Sequence, residues 1–428
     1  MKYYLIGIKG TGMCALAHFL KSQNEIVMGS DVANTFFTDE KLKDITVLTF
    51  QKENIINNSD AYFIISYAYN EENNIEVKTI IENNYNYKYY SDFINDYSKG
   101  IVIGVSGTHG KTTTSKLIVQ LFKQDKISYV IGDGTGGGII DYKYFLIEAC
   151  EYKHHFIKYN YDYLIINNIE YDHPDFYNNI EEVYQAFSNA STKAKRIIVN
   201  NDSLAKNINH DSKITYGIFN NSFVKGNIIS ITRTGFLLNI QVENNSYNMQ
   251  LPFFGIHMIY NFLAAFTLYY LTHQEIDIDL IKQLMKNYEL PSRRCEEYII
   301  GSNIIIDDYA HHPTEIESTY KAIKQKYPDH DITIVFQPHT YSRTIFLSDE
   351  FINVFRDKKA YYIKTFLSRE EYDPLKEIVV NNVFKNLKEY NEKEILDILK
   401  QKNQIILFMG AGNIYDKIKE IKYNIEDN

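Results

Sequence analysis

Tryptophan is absent from the 428 residues, and only three cysteines are present, Cys14, Cys150 and Cys295. They lie far apart and form no CxxC pair, which argues against a disulfide framework or a structural zinc site and fits a reducing compartment. An excess of positive charge is also missing. The formal net charge is −9, so a broad basic surface for nucleic acid is excluded, while a local basic pocket for phosphates is not. No apolar run is long enough to span a bilayer; the most apolar, Phe262 to Leu271, is about half the length required. With the first strand starting almost at once and no leader pattern before it, a soluble, cytoplasmic chain is expected. Internal repeats and low-complexity linkers are lacking too.

What is abundant is tyrosine, 37 residues, with 25 phenylalanines and many Asn, Ile and Lys. The tyrosines are scattered, which reads as nucleotide bias in the encoding genome and not as a stacking platform. Apolar residues at 45% and charged residues at 23% are ordinary for a globular protein. A chain of this length exceeds one hydrophobic core, so two or three domains are expected.

Three units follow along the chain. The first opens with a strand over Tyr3 to Ile8, a turn containing Gly10 and Gly12, and a helix over Met13 to Leu20. A second strand-like run, Glu25 to Met28, leads into Gly29-Ser30-Asp31. This is the rhythm of a small parallel α/β domain. The second unit starts after Lys99-Gly100, with a strand over Ile101 to Val105 and a helix over Thr113 to Lys123. Further strands, Tyr144 to Ile147 and Tyr163 to Ile166, precede a polar, β-rich stretch from Ile197 to Leu251, a turn at Gly255 and a helix. The third begins near Pro291-Ser292-Arg293-Arg294 and holds three strand-like runs, Asn303 to Ile306, Ile332 to Phe336 and Gln404 to Phe408.

The strongest chemical signal is Gly107-Thr108-His109-Gly110-Lys111-Thr112-Thr113. A buried strand ending in a glycine loop lets successive N–H groups converge on an anion, and the helix that follows adds its positive end. Lys111 can reach outer phosphates and the Thr112 hydroxyl can ligate Mg²⁺. The strict GxxxxGK[ST] spacing is missed, because Val105 stands at the first glycine position. The N-terminal Gly7-Ile8-Lys9-Gly10-Thr11-Gly12 reads GxxGxG, the wrong order for a dinucleotide fingerprint, which disfavours a dehydrogenase. Its place after a first strand still suits a pyrophosphate, or else a plain structural turn. Asp31 ends the second strand, where an acid commonly accepts a ribose hydroxyl. Glu148, beside the phosphate loop, is a natural ligand for a hard cation. His173 alone reads more readily as a hydrogen-bonded loop residue. His311 and His312 carry no HExxH or cysteine spacing that would indicate zinc.

In this order, Gly7 to Met13, the phosphate loop, Asn168-Ile169-Glu170-Tyr171-Asp172-His173, Asp307-Asp308-Tyr309-Ala310-His311-His312-Pro313 and Phe336-Gln337-Pro338-His339-Thr340-Tyr341-Ser342-Arg343 resemble the Mur ligase family along nearly the whole chain. The resemblance implies an α/β protein of three domains. They would be a Rossmann-like N-terminal domain for a UDP-sugar (1–98), a central P-loop ATPase domain with a mainly parallel sheet (99–290), and a Rossmann-like C-terminal domain for the amino acid (291–428). The segments Glu148 to Phe156 and Leu407 to Asn413 imply joining of L-alanine to UDP-N-acetylmuramate, driven by ATP through an acyl phosphate, in peptidoglycan precursor synthesis. Another amino-acid ligase of the same superfamily, of the tripeptide-recycling or folate-glutamate type, is the alternative, and a non-catalytic nucleotide-binding regulator is a more distant one.

By position, Gly10 and Gly12 would meet the UDP pyrophosphate. The phosphate loop, His257, Asn261 and Arg294 would hold ATP, with Thr112, Glu148 and His173 as Mg²⁺ ligands. Tyr309, His311 and Arg343 would lie near the amino acid or the reacting carboxylate, and His311 is a candidate base for the amine. Two departures stand out: Met258 replaces a common Asn, and Thr340 a common Arg, which leaves Arg343 to pair with the alanine carboxylate. A monomer or weak dimer is expected.

Overall fold

The computed structural model describes residues 1–273, 275–367 and 370–426. The chain builds three sheets in succession. The first is all parallel, with the strand Lys2–Ile6 at its centre, Ile26–Asp31 and Thr46–Thr49 on one side and Tyr62–Ile65 and Tyr87–Tyr89 on the other. Tyr3 to Ile6 are buried on both faces, which is why the run is apolar throughout and not alternating.

The second sheet has ten strands. Its phosphate-loop strand, Ile101–Ser106, lies between Tyr161–Ile166 and Tyr144–Glu148, with both pairings parallel. The chain therefore leaves this strand at the point where successive strands turn to opposite sides, the usual ligand crevice of an open α/β sheet. The register puts Val105 beside Glu148 and Ser106 beside Ile166. Beyond Lys213–Gly217 the sheet continues as an antiparallel meander, Val224–Thr232, Gly235–Val242 and Asn245–Leu251. This is the β-rich stretch expected from sequence, and the helix after it, Ile256–Thr272, is buried along most of its length.

The third sheet has six strands, with Gln404–Met409 between Asn303–Asp308 and Asp331–Phe336. The three runs read from sequence form its core. Glu296–Ile300 adds an antiparallel edge, and Lys359–Tyr362 and Lys388–Glu389 the other. The register aligns Asp308 and Phe336 on Met409, so the loops after all three central strands open at one end.

The units meet in two different ways. One apolar core runs from the first sheet into the second and joins Tyr3, Phe19 and Leu20 to Phe145, Phe156 and Phe187. The Phe19 and Phe145 rings lie 5.1 Å apart. The third sheet instead has cores of its own, one on each face, and meets the second largely through polar and charged groups. The N-terminal contact is also close-fitting, because a Cβ on Gly136 would come within 1.7 Å of the Ala15 carbonyl oxygen. Gly136→Ala is therefore expected to force the units apart and cost about 1–3 kcal/mol; an unchanged urea midpoint would contradict this packing.

Candidate nucleotide and acyl-transfer site

The phosphate loop bends through two glycines with left-handed backbone, Gly107 at φ 135° and Gly110 at φ 79°. At Gly110 a side chain would also meet Asn261 Oδ1 at 2.4 Å, so conformation and space both demand glycine. The helix Lys111–Leu121 follows at once, starting two residues earlier than the sequence indicated. The loop is laced to the segment after the neighbouring strand. The Thr108 amide donates to the Asn168 carbonyl (3.1 Å), the His109 amide to Asn168 Oδ1 (2.8 Å), and Thr108 Oγ1 accepts from the Glu170 amide (2.9 Å).

Lys111 is folded back over the loop. Its Nζ donates to the Gly107 carbonyl at 2.6 Å and to Glu151 Oε2 at 2.9 Å. Burial disfavours the ammonium, but Glu151 more than offsets it and holds the pKa above the ordinary lysine value. Thr112 Oγ1 donates to Glu148 Oε1 at 3.1 Å, and the Gly132 amide donates to Glu148 Oε2 at 2.9 Å. A Cβ on Gly132 would collide with that carboxylate at 2.3 Å. Burial pushes the Glu148 carboxyl above the ordinary range, the condition of a carboxylate that gains from a nearby cation. The two oxygen donors fit a hard divalent ion such as Mg²⁺. His173 joins the group through Glu151, with Nε2 3.7 Å from Oε1.

A cavity of about 570 Å³ opens between the second and third units. His109, Gly110 and Thr113 of the loop line it, with His257, Met258 and Asn261 of the buried helix and Arg294 and Asp308 of the C-terminal unit. Burial lowers the His257 pKa to about 4, so this ring is neutral at physiological pH. Arg294 lies over the Tyr309 ring at 5.2 Å and 3.9 Å from Glu315. Arg293 is occupied elsewhere: it pairs with Asp307 at 3.0 Å and donates to the Gly410 carbonyl at 2.7 Å.

Nearby, His311 Nδ1 sits 2.9 Å from the Tyr309 carbonyl, which leaves Nε2 as the basic nitrogen, and burial lowers its pKa to about 4. Arg343, 2% exposed, donates from Nε to Asp172 Oδ1 at 2.9 Å and from Nη1 to the His339 carbonyl at 3.2 Å. Its expected role at an amino-acid carboxylate is thus shared with a resident acid. Thr340 is buried with φ 69°.

In the first unit, Gly10 caps the helix Thr11–Ser22 with no side-chain acceptor, leaving the helix N-terminus unblocked by a side chain. A Cβ on Gly12 would come within 3.1 Å of the Tyr90 hydroxyl. Asp31, only 3% exposed, accepts from the Lys9 amide (2.7 Å), the Val32 amide (2.8 Å) and the Tyr69 hydroxyl (3.3 Å). It braces the glycine turn from below, and most of its accepting capacity is already used.

Glu151 follows the strand that ends in Glu148 and reads with it as a carboxylate beside the loop, whereas three further acids at the centre, Glu170, Asp172 and Glu315, had no assigned role in the sequence. A signal existed for all three. Glu170 and Asp172 sit inside the run that ends at His173. Glu315, three residues after His312, closes a capping box that three-residue spacing announces.

Fold and loop together define a phosphate-loop nucleotide-binding α/β protein of three units. The family profiles "Mur ligase family, catalytic domain", "Mur ligase middle domain" and "Mur ligase, glutamate ligase domain" match residues 2–100, 139–269 and 293–412, with the phosphate loop between the first two. The chain is 36% identical to a UDP-N-acetylmuramate–L-alanine ligase of Streptococcus pneumoniae strain 70585, covering 96% of this chain and 95% of that protein. It is 35% identical to one of Streptococcus mutans, over 99% and 96%. A crystal structure of a UDP-N-acetylmuramate–alanine ligase from Thermotoga maritima shares the fold at TM-score 0.80 and 21% identity, over 100% of this chain and 99% of that one. A murein peptide ligase from Psychrobacter arcticus does so at 0.70 and 19%, over 100% and 99%. The chain belongs to the Mur ligase family.

The acids at the C-terminal junction give a pH prediction. Burial opposes their charge. Arg343 nevertheless holds Asp172 well below the usual carboxylate range, and His109 holds Glu170 at about 2. Folded values below the unfolded ones stabilise the protein above about pH 4 and lose that contribution as pH falls toward about 2. Stability is expected to drop through this window, with a shallower slope in Asp172→Asn; equal slopes by urea titration would contradict the assignment.

Proposed function

We propose that this chain joins L-alanine to UDP-N-acetylmuramate at the expense of ATP, as an enzyme of peptidoglycan precursor synthesis. The observation that carries the reading is the cavity between the second and third units. There the phosphate loop, Asn261 and Arg294 surround a space of nucleotide size, with His311 behind its lining residue Glu315 and Arg343 joined to His311 through His339, in a chain whose full-length relatives bear that name.

A carboxylate is a poor electrophile and must be activated before an amine can attack it. The muramoyl carboxylate attacks the γ-phosphorus of ATP, giving an acyl phosphate and ADP. The amine of L-alanine then attacks the acyl carbon, and phosphate leaves from the tetrahedral intermediate. Both steps depend on positioning and charge neutralisation, not on a protein nucleophile. Lys111 and Arg294 neutralise the phosphates, and Arg343 orients a carboxylate. His311, neutral with Nε2 unprotonated, accepts the amine proton. Thr112 and Glu148, with His173 beside them, would hold Mg²⁺, which would supply the positive charge that lysine and arginine alone do not provide.

Gly10 and Gly12 meet the UDP pyrophosphate, Asp31 supports that turn, and the three sheets correspond to domains 1–98, 99–290 and 291–428. A cytoplasmic monomer or weak dimer fits these substrates. Among the described residues no helix is long and apolar enough to cross a membrane.

The test is phosphate release from ATP with UDP-N-acetylmuramate and L-alanine, omitting each in turn. Release is expected only with all three. Release that ignored the UDP-sugar would sink the assignment, and release with a tripeptide in place of L-alanine would favour the recycling activity. Lys111→Ala should abolish turnover. Because it strands Glu151, it should also cost about 3–5 kcal/mol, which Glu151→Gln in the same chain should largely restore.

A further inference from the structure

His109 is gripped by carboxylates from two units. Its Nε2 lies 3.4 Å from Glu170 Oε2 of the central unit, and its Nδ1 3.3 Å from Glu315 Oε1 of the C-terminal unit. A neutral imidazole carries one N–H, so it could satisfy only one of these acids; the imidazolium satisfies both. Burial opposes that charge, yet the two carboxylates raise the pKa to about 10. The Nε2 contact is a close ion pair and not an aligned hydrogen bond.

The two acids are themselves fixed. Glu315 Oε2 accepts from the His312 amide at 3.4 Å, which closes the capping box, and from the His311 amide at 3.1 Å, leaving Oε1 turned to His109. Glu170 Oε2 accepts from Thr314 Oγ1 at 2.8 Å, a second tie from the C-terminal unit. His109, Glu170 and His312 bring ligand atoms within 4.8 Å of one another, which resembles a metal triad. The tautomer argues against one: His312 Nδ1 accepts from the Thr314 amide, so Nε2 carries the proton and offers no lone pair to a metal. The cluster is a clamp of nitrogen donors around acids, and it shares a wall with the nucleotide cavity.

We propose that His109 is a positioning residue that lets docking of the C-terminal unit, through Glu315, set the phosphate loop for phosphoryl transfer. The nucleotide-binding groups Lys111, Thr112 and Thr113 follow directly in the chain. A loop held at His109 presents them in one arrangement, and a loop released there does not. The kinetic consequence rests on the ligase reading above; the docking consequence does not.

The experiment is a double-mutant cycle of His109→Gln, Glu315→Gln and the pair, in the full chain. The glutamine at 315 retains an oxygen for the helix cap while losing the charge. Each single change is expected to lower kcat about 10- to 100-fold while the directly measured dissociation constant for an ATP analogue moves less than about 3-fold, and the double variant should be no slower than the slower single. Small-angle scattering should show a larger radius of gyration for the variants than for the unaltered chain. Losses that multiply, nucleotide affinity falling in step with kcat, or scattering profiles that superimpose would each overturn the proposal. If the unaltered chain shows no turnover with UDP-N-acetylmuramate and L-alanine, the ligase reading fails, and scattering alone decides the clamp.

Discussion

Lys111 is the charge around which the site is arranged. An ammonium taken out of water costs several kcal/mol unless it is paired and hydrogen-bonded, and this one has Glu151 and two loop carbonyls. Glu151 in turn requires the 3₁₀ turn after the strand Tyr144–Glu148 to lie beneath the loop, held there by Tyr177, whose hydroxyl donates to the Glu151 carbonyl at 2.6 Å. The same strand end carries Glu148 to Thr112. One pairing requirement thus fixes the relation between the phosphate loop, the Glu148 carboxylate and the segment bearing His173.

The two junctions of the chain divide the mechanical work. Rings from the first and second units interlock in one core, and Gly136 lets a backbone pass against Ala15. Such a contact cannot slide without opening apolar surface to water. The C-terminal junction is built from ion pairs and hydrogen bonds, Asp172 with Arg343, His109 with Glu315 and Thr314 with Glu170, plus an aromatic contact of Tyr171 with Phe346. Polar interfaces of this kind permit relative motion. The first unit and the phosphate loop are therefore expected to move as one body, with closure left to the unit proposed to receive the amino acid.

Much of this was legible before the structure. The apolar strands Lys2–Ile6, Ile101–Ser106 and Gln404–Met409 announce themselves because central parallel strands are buried on both faces. The short strand Lys388–Glu389 does not, since it pairs on one side only and both residues are charged and exposed, and Lys359–Tyr362 is only four residues long. The glycine loop, Glu148 and Arg294 were readable because each residue type is demanded by a local task. Glu170, Asp172 and Glu315 sit inside recognisable runs, but their pairings were not readable, because a carboxylate that neutralises a cation from another element has no local signature of that partner. Asp31 and Arg343 illustrate the converse. Residue type and position suggested ligand contacts for both, yet each is already engaged by the protein.

That engagement follows a pattern. Lys111 has Glu151 at 2.9 Å, Arg343 has Asp172 at 2.9 Å, and Arg294 has Glu315 at 3.9 Å. Every cation assigned to an anionic group of a substrate has a resident carboxylate beside it, the one at Arg294 being shared with His109. A cleft with three unpaired cations would be costly to bury and would bind any polyanion. With the carboxylates in place the cleft's own charges balance, and an incoming anion must compete for each cation. A nucleotide carrying divalent cations with its phosphates would meet that condition, because the metal would bring surplus positive charge and Glu148, now bonded to the Thr112 hydroxyl and the Gly132 amide, would gain it as a partner.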